Sequence, residues 1–345
     1  MGFGFLSEAA RFPVSESLLA YTPVDSYGWA VLVGLINTLY ISFLVISVST
    51  ALGFLLALAR RSRHPLVSAL ATVYVETMRN TPLVLQLLFW YSVLTLNLPA
   101  TRQAYEPVSG VFLSIRGIFF PSVSLGGDTA LFWACVAIAL LMVLAGPALG
   151  RRIVRWLSGA GVEPNFPWRR AAWCLAVIIV LAGGVVGGIQ MHVEKPGLQG
   201  FNFVGGSVFT PEFTSLLIGL TLYSAAFSGE IIRGGIDAVD EGQWEAAQSL
   251  GLRRWPTLIQ IVVPQAMRVI VPPMTSQFLS IIKNTTLALA VGYPDLSFVI
   301  ATTINQTGQA VEGIAILMAV YLSISLGISL FMNIYNRRIT RTQRP

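Results

Sequence analysis

Seven long apolar stretches set the rhythm of this chain, at about residues 28–58, 65–97, 129–149, 171–190, 212–232, 259–290 and 311–335. Each approaches or exceeds the roughly 20 residues that a helix needs to cross a bilayer. The pattern predicts an all-α integral membrane protein with about seven transmembrane helices. Polar positions interrupt two of the stretches. The second is broken midway by Glu76, Arg79, Asn80 and Pro82, the sixth by the segment from Lys283 to Thr286. Polar groups inside a membrane helix are costly and mark function. Paired breaks point to a substrate site, because unwound backbone lines a polar cavity. The structural alternative is an ion pair between Glu76 and Arg79, three apart on one helix. Between the stretches, 98–128 and 191–211 carry scattered Gly, Pro and Ser and read as ordered surface loops or short hairpins. The third and fourth crossings read as a helical hairpin inserted into a five-crossing core, against the plainer reading of seven equivalent structural helices.

Composition strengthens the membrane reading. Charged residues are 11% of the 345-residue chain and hydrophobic residues 54%, whereas a soluble domain carries roughly 25% charge. The net charge of +6 does not point to nucleic acid, because the positive residues sit in short clusters between apolar runs. One set of gaps holds Arg60, Arg61, Arg63, Arg151, Arg152, Arg155, Arg169, Arg170, Arg233, Arg253, Arg254, Arg337, Arg338, Arg341 and Arg344. The alternate gaps hold Arg11, Arg102, Arg116 and Lys195. Fifteen against four places the first set in the cytoplasm. The N-terminus is then outside and the C-terminus inside, as an odd number of crossings requires.

The expected organisation follows: an outer tail (1–27), two core crossings (28–97), outer loops with the inserted hairpin (98–211), the remaining core crossings (212–335) with a cytoplasmic loop at 233–258, and a basic tail (336–345). Residues 1–27 contain Glu8, Arg11, Glu16 and Asp25 and lack the plan of a signal peptide. The first apolar run is expected to be the targeting element. Cys135 and Cys174 fall near the starts of consecutive crossings, hence at opposite depths, which argues against a disulfide. His64 and His192 read as interfacial residues, and no metal site or catalytic residue is expected.

One segment does not fit an oily chain. Residues 241–251, "EGQWEAAQSLG", are polar and strongly helical. Asp240 is placed to cap a helix, with Gln243 three residues on as in a capping box, and Val239 and Trp244 spaced as a hydrophobic staple. Gly251 falls where a left-handed residue ends a helix, with Ala247 and Leu252 spaced for the accompanying contact. Pro256 suits the first position of a second helix, which Pro264 is expected to kink or end. Such a unit buries little apolar surface alone, so it rests either on its own domain or on another protein.

The longer string "EAAQSLGLRRWPTLIQIVVP" (245–264) resembles the cytoplasmic coupling loop of ABC importer permeases, with Glu245, Ala246, Ala247, Gly251, Ile261 and Pro264 at the matching positions. "YVETMRNTPLVLQLLFWY" (74–91), "SGEIIRGGIDAVDEGQWEAAQSLGL" (228–252) and "VVPQAMRVIVPPMTSQFLSIIKNTTLALAVGYPDL" (262–296) look like segments of the polar amino-acid subfamily. The insertion resembles the larger, general L-amino-acid members. Those often carry an extra N-terminal crossing, with which this chain does not begin. Asn284 stands where many relatives carry Asp.

The resemblance implies a permease subunit in the bacterial inner membrane. It implies a second, similar permease, two cytoplasmic ATPase subunits that bind ATP and magnesium, and a periplasmic binding protein that delivers L-amino acids. Glu245, Ala246, Ala247, Gly251 and Pro264 would form the ATPase-coupling surface, with Ala246 and Ala247 allowing close approach. For an amino acid, Glu230 suits the ammonium, while Gln86, Asn284 and Thr285 offer polar groups for the carboxylate. The alternative for Glu230 is an ion pair with Arg233.

The chain carries no phosphate-binding loop. Its two lysines, Lys195 and Lys283, do not fit Gly-x-x-x-x-Gly-Lys-Ser/Thr, so ATP chemistry belongs to a partner. An ion-coupled secondary transporter would use the same helix breaks without a partner, but it leaves the capped helix without a purpose. An intramembrane enzyme is remote: the crossings contain no paired aspartates, no His-Glu-x-x-His and no Ser–His arrangement.

Overall fold

A computed structural model describes residues 2–126, 131–143, 168–188 and 190–341. Among these, four helices are long and apolar enough to cross a membrane: Tyr27–Arg60, Pro211–Asp237, Trp255–Ala290 and Ala310–Asn336. Leu83–Leu96, Leu131–Val143 and Trp173–Val186 are shorter apolar helices. Parts of the third crossing, and Arg151, Arg152, Arg155 and Arg344, lie outside the described residues.

The chain divides into two compact units. The first comprises residues 1–100, 114–117 and 209–345. It contains α1 (Tyr27–Arg60), α2 (Pro65–Asn80), α3 (Leu83–Leu96), α6 (Pro211–Asp237), α7 (Glu241–Ser249), α8 (Arg254–Thr257), α9 (Val263–Asn284), α10 (Leu296–Thr307) and α11 (Ala310–Arg341). The predicted second crossing is two helices. Pro82 has no N–H to donate and disfavours helical geometry at Thr81, so α2 stops at Asn80 and α3 restarts from Pro82.

Three cores hold this unit. Ile41, Val45, Leu83, Leu87, Phe213, Leu216, Leu220, Ile281, Ala288 and Tyr293 join α1, α3, α6 and the end of α9. Ala57, Ile232, Ile236, Leu258, Val262, Ala266 and Ile270 form a second core, with Val239 and Trp244 against it. The N-terminal segment makes a third, in which Phe5, Ala10 and Phe12 pack with Tyr27, Ala30 and Val299. Asn37 Nδ2 donates to the carbonyls of Glu16 (2.8 Å) and Pro294 (3.0 Å), and the amide of Thr210 donates to Glu16 Oε1 (2.9 Å). The predicted tail is therefore an ordered part of this unit.

Helix α1 packs closely on α6. A Cβ on Gly53 would lie 2.8 Å from Ser228 Cβ and 2.9 Å from the Gly229 nitrogen. Only glycine at position 53 lets the two backbones approach this far. Small residues at helix crossings are the usual basis of close association in membranes.

The second unit comprises residues 101–113 and 118–208. It contains α4 (Leu131–Val143) and α5 (Trp168–Val186). The chain is not all-α. Its strands are β1 (Tyr105–Val108), β2 (Val111–Ser114), β3 (Gly117–Phe120), β4 (Ser122–Gly126), β5 (Gln190–Glu194), β6 (Gly197–Gln199), β7 (Asn202–Val204) and β8 (Ser207–Phe209). They pair in the order β1-β2-β3-β8, with antiparallel ribbons β4–β5 and β6–β7. Their short runs of Val, Phe and Tyr between Gly-containing turns favour strands. Cys135 lies against Gly183, nine residues beyond Cys174 on α5, and both thiols are free.

Candidate functional site

The capped helix forms as α7. Asp240 Oδ1 accepts from the Gly242 amide at 2.7 Å, and the Gln243 amide donates to the Asp240 carbonyl at 3.1 Å. Asp240 caps the helix through the Gly242 amide, so neither reciprocal bond of the expected capping box is among the described contacts. The Gln243 side chain accepts instead from Gln265 Nε2 on α9, at 3.0 Å. At the other end Leu252 N donates to Ala247 O (3.0 Å) and Gly251 N to Gln248 O (2.9 Å). This is the paired bonding of a Schellman stop, and Gly251 takes the left-handed φ of 75° that it requires.

The residues expected to form the coupling surface do not all face the same way. Glu245, Ala246 and Gly251 are exposed, but Ala247 is 1% exposed and turned inward. It follows Trp244 by three positions and so shares the helix face that lies on the second core. The small side chain at 247 therefore serves close contact within this chain, a correction to its expected place on an outward surface. The second helix also differs. It begins at Arg254, and Pro264 neither ends it nor breaks it. A π turn at Leu258–Val262 precedes the proline and merges α8 into α9. The wider turn accommodates a residue that cannot donate to a normal i→i−4 bond.

The two helix breaks meet at one core, which contains Leu83 and Leu87 from α3 beside Ile281 and Ala288. Gln86 is buried, and its Nε2 donates to the carbonyls of Met78 (3.0 Å) and Thr81 (3.1 Å). It thus satisfies acceptors that the break at Pro82 leaves open. At the second break α9 ends at Asn284 and a 3-10 turn runs over Thr285–Ala290. Asn284 is half-buried, while Thr285 is buried with its hydroxyl donating to Ile282 O at 2.8 Å.

Glu230 lies apart from this group. Its Oε1 pairs with Arg60 and accepts from Arg233 Nε at 3.2 Å, and its Oε2 accepts from Arg233 Nη2 at 3.2 Å. Arg79 Nη1 is 3.9 Å from Oε2. The alternative, a Glu76–Arg79 ion pair, is absent among the described contacts. Arg79 turns to α6, with its guanidinium 5.3 Å from the Phe227 ring centre, and Glu76 accepts from Asn80 at 3.5 Å. Both Glu230 oxygens are thus engaged by arginines, as in its expected alternative of an ion pair with Arg233.

A feature that sequence reading missed continues from Glu230. Arg233 Nη1 donates to Asp237 Oδ2 at 2.8 Å, Asp237 pairs with Arg61, and Arg61 stands 5.8 Å above the Trp244 ring. The i,i+4 spacing of Arg233 and Asp237 was the one signal available for it. Arg61, Asp237 and Trp244 edge a cavity of about 620 Å³ beside α7, lined also by Arg63, Glu241 and Glu245.

Outside the spans, burial pushes the Asp295 carboxyl up to about 7, partly offset by the Phe298 amide and the Ser297 hydroxyl. Asp295 caps α10, accepting from Phe298 N at 2.8 Å. Burial likewise raises Glu16, against the lowering effect of Thr210.

A bundle of apolar helices with two breaks at one core, and a capped helix–turn on a basic loop, defines the membrane subunit of a transport system. Residues 49–341 match the family described as the binding-protein-dependent transport system inner membrane component, and the chain belongs to that family. Membership sets aside the ion-coupled alternative. The chain is 44% identical over 348 residues to YhdX of Escherichia coli, covering 99% of this chain and 86% of the relative. It is 39% identical over 345 residues to the general L-amino acid transport system permease protein AapQ of Rhizobium johnstonii, covering 99% and 84%. A crystal structure of an amino acid ABC transporter with histidines shares the fold, with a TM-score of 0.52 and 20% identity over 90% of this chain and 95% of that one.

Proposed function

We propose that this chain is a transmembrane permease subunit of an ATP-driven importer that takes up L-amino acids across the bacterial inner membrane. Similarity to AapQ and to the glutamate/glutamine/aspartate/asparagine permease BztB of Rhodobacter capsulatus supports the substrate class. In this reading the chain crosses seven times, with its N-terminus outside and its C-terminus inside. Segment 98–211 is an insertion, 233–258 the coupling loop and 336–345 a basic cytoplasmic tail. A second permease pairs with it as a heterodimer, two ATPase subunits bind ATP and magnesium, and a periplasmic binding protein delivers the amino acid. Gln86, Asn284 and Thr285, beside the two breaks, contribute polar groups along the substrate path. Motion of the ATPases shifts α7, and the attached helices follow as levers.

The observation that carries this reading is α7 itself. It is a short helix closed at both ends by its own hydrogen bonds, with Glu245, Ala246 and Gly251 presented outward. The test is the purified complex of permeases, ATPase and binding protein. Substrate-loaded binding protein is expected to stimulate ATP hydrolysis in the native complex. Glu245→Arg and Gly251→Arg are expected to reduce that stimulation at least tenfold. Native stimulation in both variants would sink the coupling role of this loop.

A further inference from the structure

The charged residues around Glu230 form a continuous chain across three elements. Arg60 and Arg61 end α1, Glu230, Arg233 and Asp237 lie on the last turns of α6, and Trp244 is on α7. Topology alone does not explain them. Cytoplasmic retention depends on the positive charges and acidic residues contribute little to it, so it does not account for Glu230 and Asp237. Their presence makes geometric sense instead. A guanidinium bonds in a fixed fork, so Arg60 and Arg61 tie α1 to α6 at a defined angle, while Arg233 holds the two α6 carboxylates in place. Arg233 grips Glu230 through both Nε and Nη2 and reaches Asp237 with Nη1. Arg61 spans from Asp237 to the face of Trp244.

Two further contacts leave these elements little freedom. On the membrane side of the charged chain, Gly53 and Gly229 bring α1 and α6 to backbone contact. Beneath it, Ala57, Ile232 and Ile236 share one core with Val239 and Trp244. Asp237 stands three residues before the Asp240 cap of α7, so the clamp grips the root of the coupling helix.

We propose that Arg60, Arg61, Glu230, Arg233 and Asp237 form a clamp that stays closed through the transport cycle and, with Trp244 under Arg61, makes α1, α6 and α7 move as one body. Glu230 is then a positioning residue for coupling. This inference rests on α7 being the ATPase-docking helix, and it adds the route by which displacement of α7 reaches the crossings.

The test replaces the ion pair with a covalent link. In a chain carrying Cys135→Ser and Cys174→Ser, Arg61→Cys and Asp237→Cys are introduced together, and the full complex is reconstituted in liposomes. Uptake per ATP hydrolysed is expected to fall about tenfold, with the ATPase still co-purifying. A short bifunctional thiol reagent bridging the two positions is expected to restore at least half of the native ratio, and to restore neither single variant. Arg61→Lys, which keeps the charge but loses the fork and the stacking on Trp244, is expected to lower the ratio about threefold, less than the unbridged double variant. A native ratio in the unbridged double variant overturns the clamp. So does a bridge that leaves the ratio low, because a link that must open cannot be a rigid one. Loss of co-purification in the double variant alone also overturns it, since the pair would then only hold α7 in shape. Failure of the ATPase to co-purify with the native chain would instead refute the docking role of α7.

Discussion

Helix α6 and helix α11 each contribute a candidate span of 27 residues, yet they differ in opposite senses. The α11 span is the more apolar, and none of its most apolar window is buried within the chain, whereas 61% of that of α6 is. In water the reverse would hold. In a bilayer the lipid tails are as apolar as leucine, so hydrophobicity does not drive a helix into a protein core. Burial follows the ability to approach closely. Helix α6 carries Gly219, Ser224, Ser228 and Gly229 where α1 and α3 come near, while α11 presents Leu322, Leu326, Leu330 and Phe331 outward. A hydropathy profile thus finds both helices but ranks them wrongly as core.

The sharpest way to break this comparison is at the glycine crossing. Gly53→Leu is expected to destabilise the protein by about 3 kcal/mol through overpacking, seen as a lower unfolding midpoint in detergent. Gly327→Leu on α11, where an added Cβ meets nothing within 4 Å, should leave the midpoint unchanged. Equal losses at both sites would mean that α11 is as closely held as α6.

A matched pair of leucines comes next. Leu220 on α6 is fully buried and Leu326 on α11 is 61% exposed. Leu220→Ala is expected to cost about 2 kcal/mol, mainly through its cavity, and Leu326→Ala to stay within about 0.5 kcal/mol. Denaturant titration of both variants in one detergent decides the point.

Beyond the helix pair, Gly251→Ala is expected to cost about 1 kcal/mol, because alanine resists the left-handed φ of the α7 stop. The loss should register as faster amide exchange in α7 with little change in α6. Uniform exchange throughout the chain would show that α7 unfolds only with the bundle.

The smallest effect is a change of slope with pH. The Asp295 carboxyl titrates at about 7 in the folded chain and at about 3.9 when unfolded. Between those values the folded state holds the extra proton. Its contribution is therefore full below about pH 4 and is lost as pH rises through 7. Asp295→Asn keeps a capping oxygen and should flatten the decline in unfolding midpoint between pH 5 and 8. An unchanged slope would place the titration elsewhere.

Much of the architecture was legible from the pattern of residues. Apolar run length located the four described helices that are long and apolar enough to cross a membrane, and Pro82 and the Lys283–Thr286 segment marked both helix breaks. The use of the polar residues at those breaks was not legible. Gln86 reads as a free donor in sequence, but its amide serves carbonyls five and eight positions back. The strands fall where loops or short hairpins were expected, but an all-α reading did not resolve them, because each is only three to five residues long, too short for a periodicity to emerge.

By itself the sequence determined α7 and its stop, since every bond that closes them lies within five residues: Asp240 to Gly242, Gln248 to Gly251 and Ala247 to Leu252. Such contacts form with almost no loop to close, so residue type and spacing specify them. Only the tertiary structure decided which way α7 faces, with Ala247 inward and Glu245 outward, and which partner Glu230 takes. Arg60 stands 170 positions from Glu230. An arginine in a chain of 345 residues has many carboxylates in range of sequence, and the packing of α1 on α6, with Gly53 against Gly229 and Ala57 in one core with Ile232 and Ile236, brings these two together.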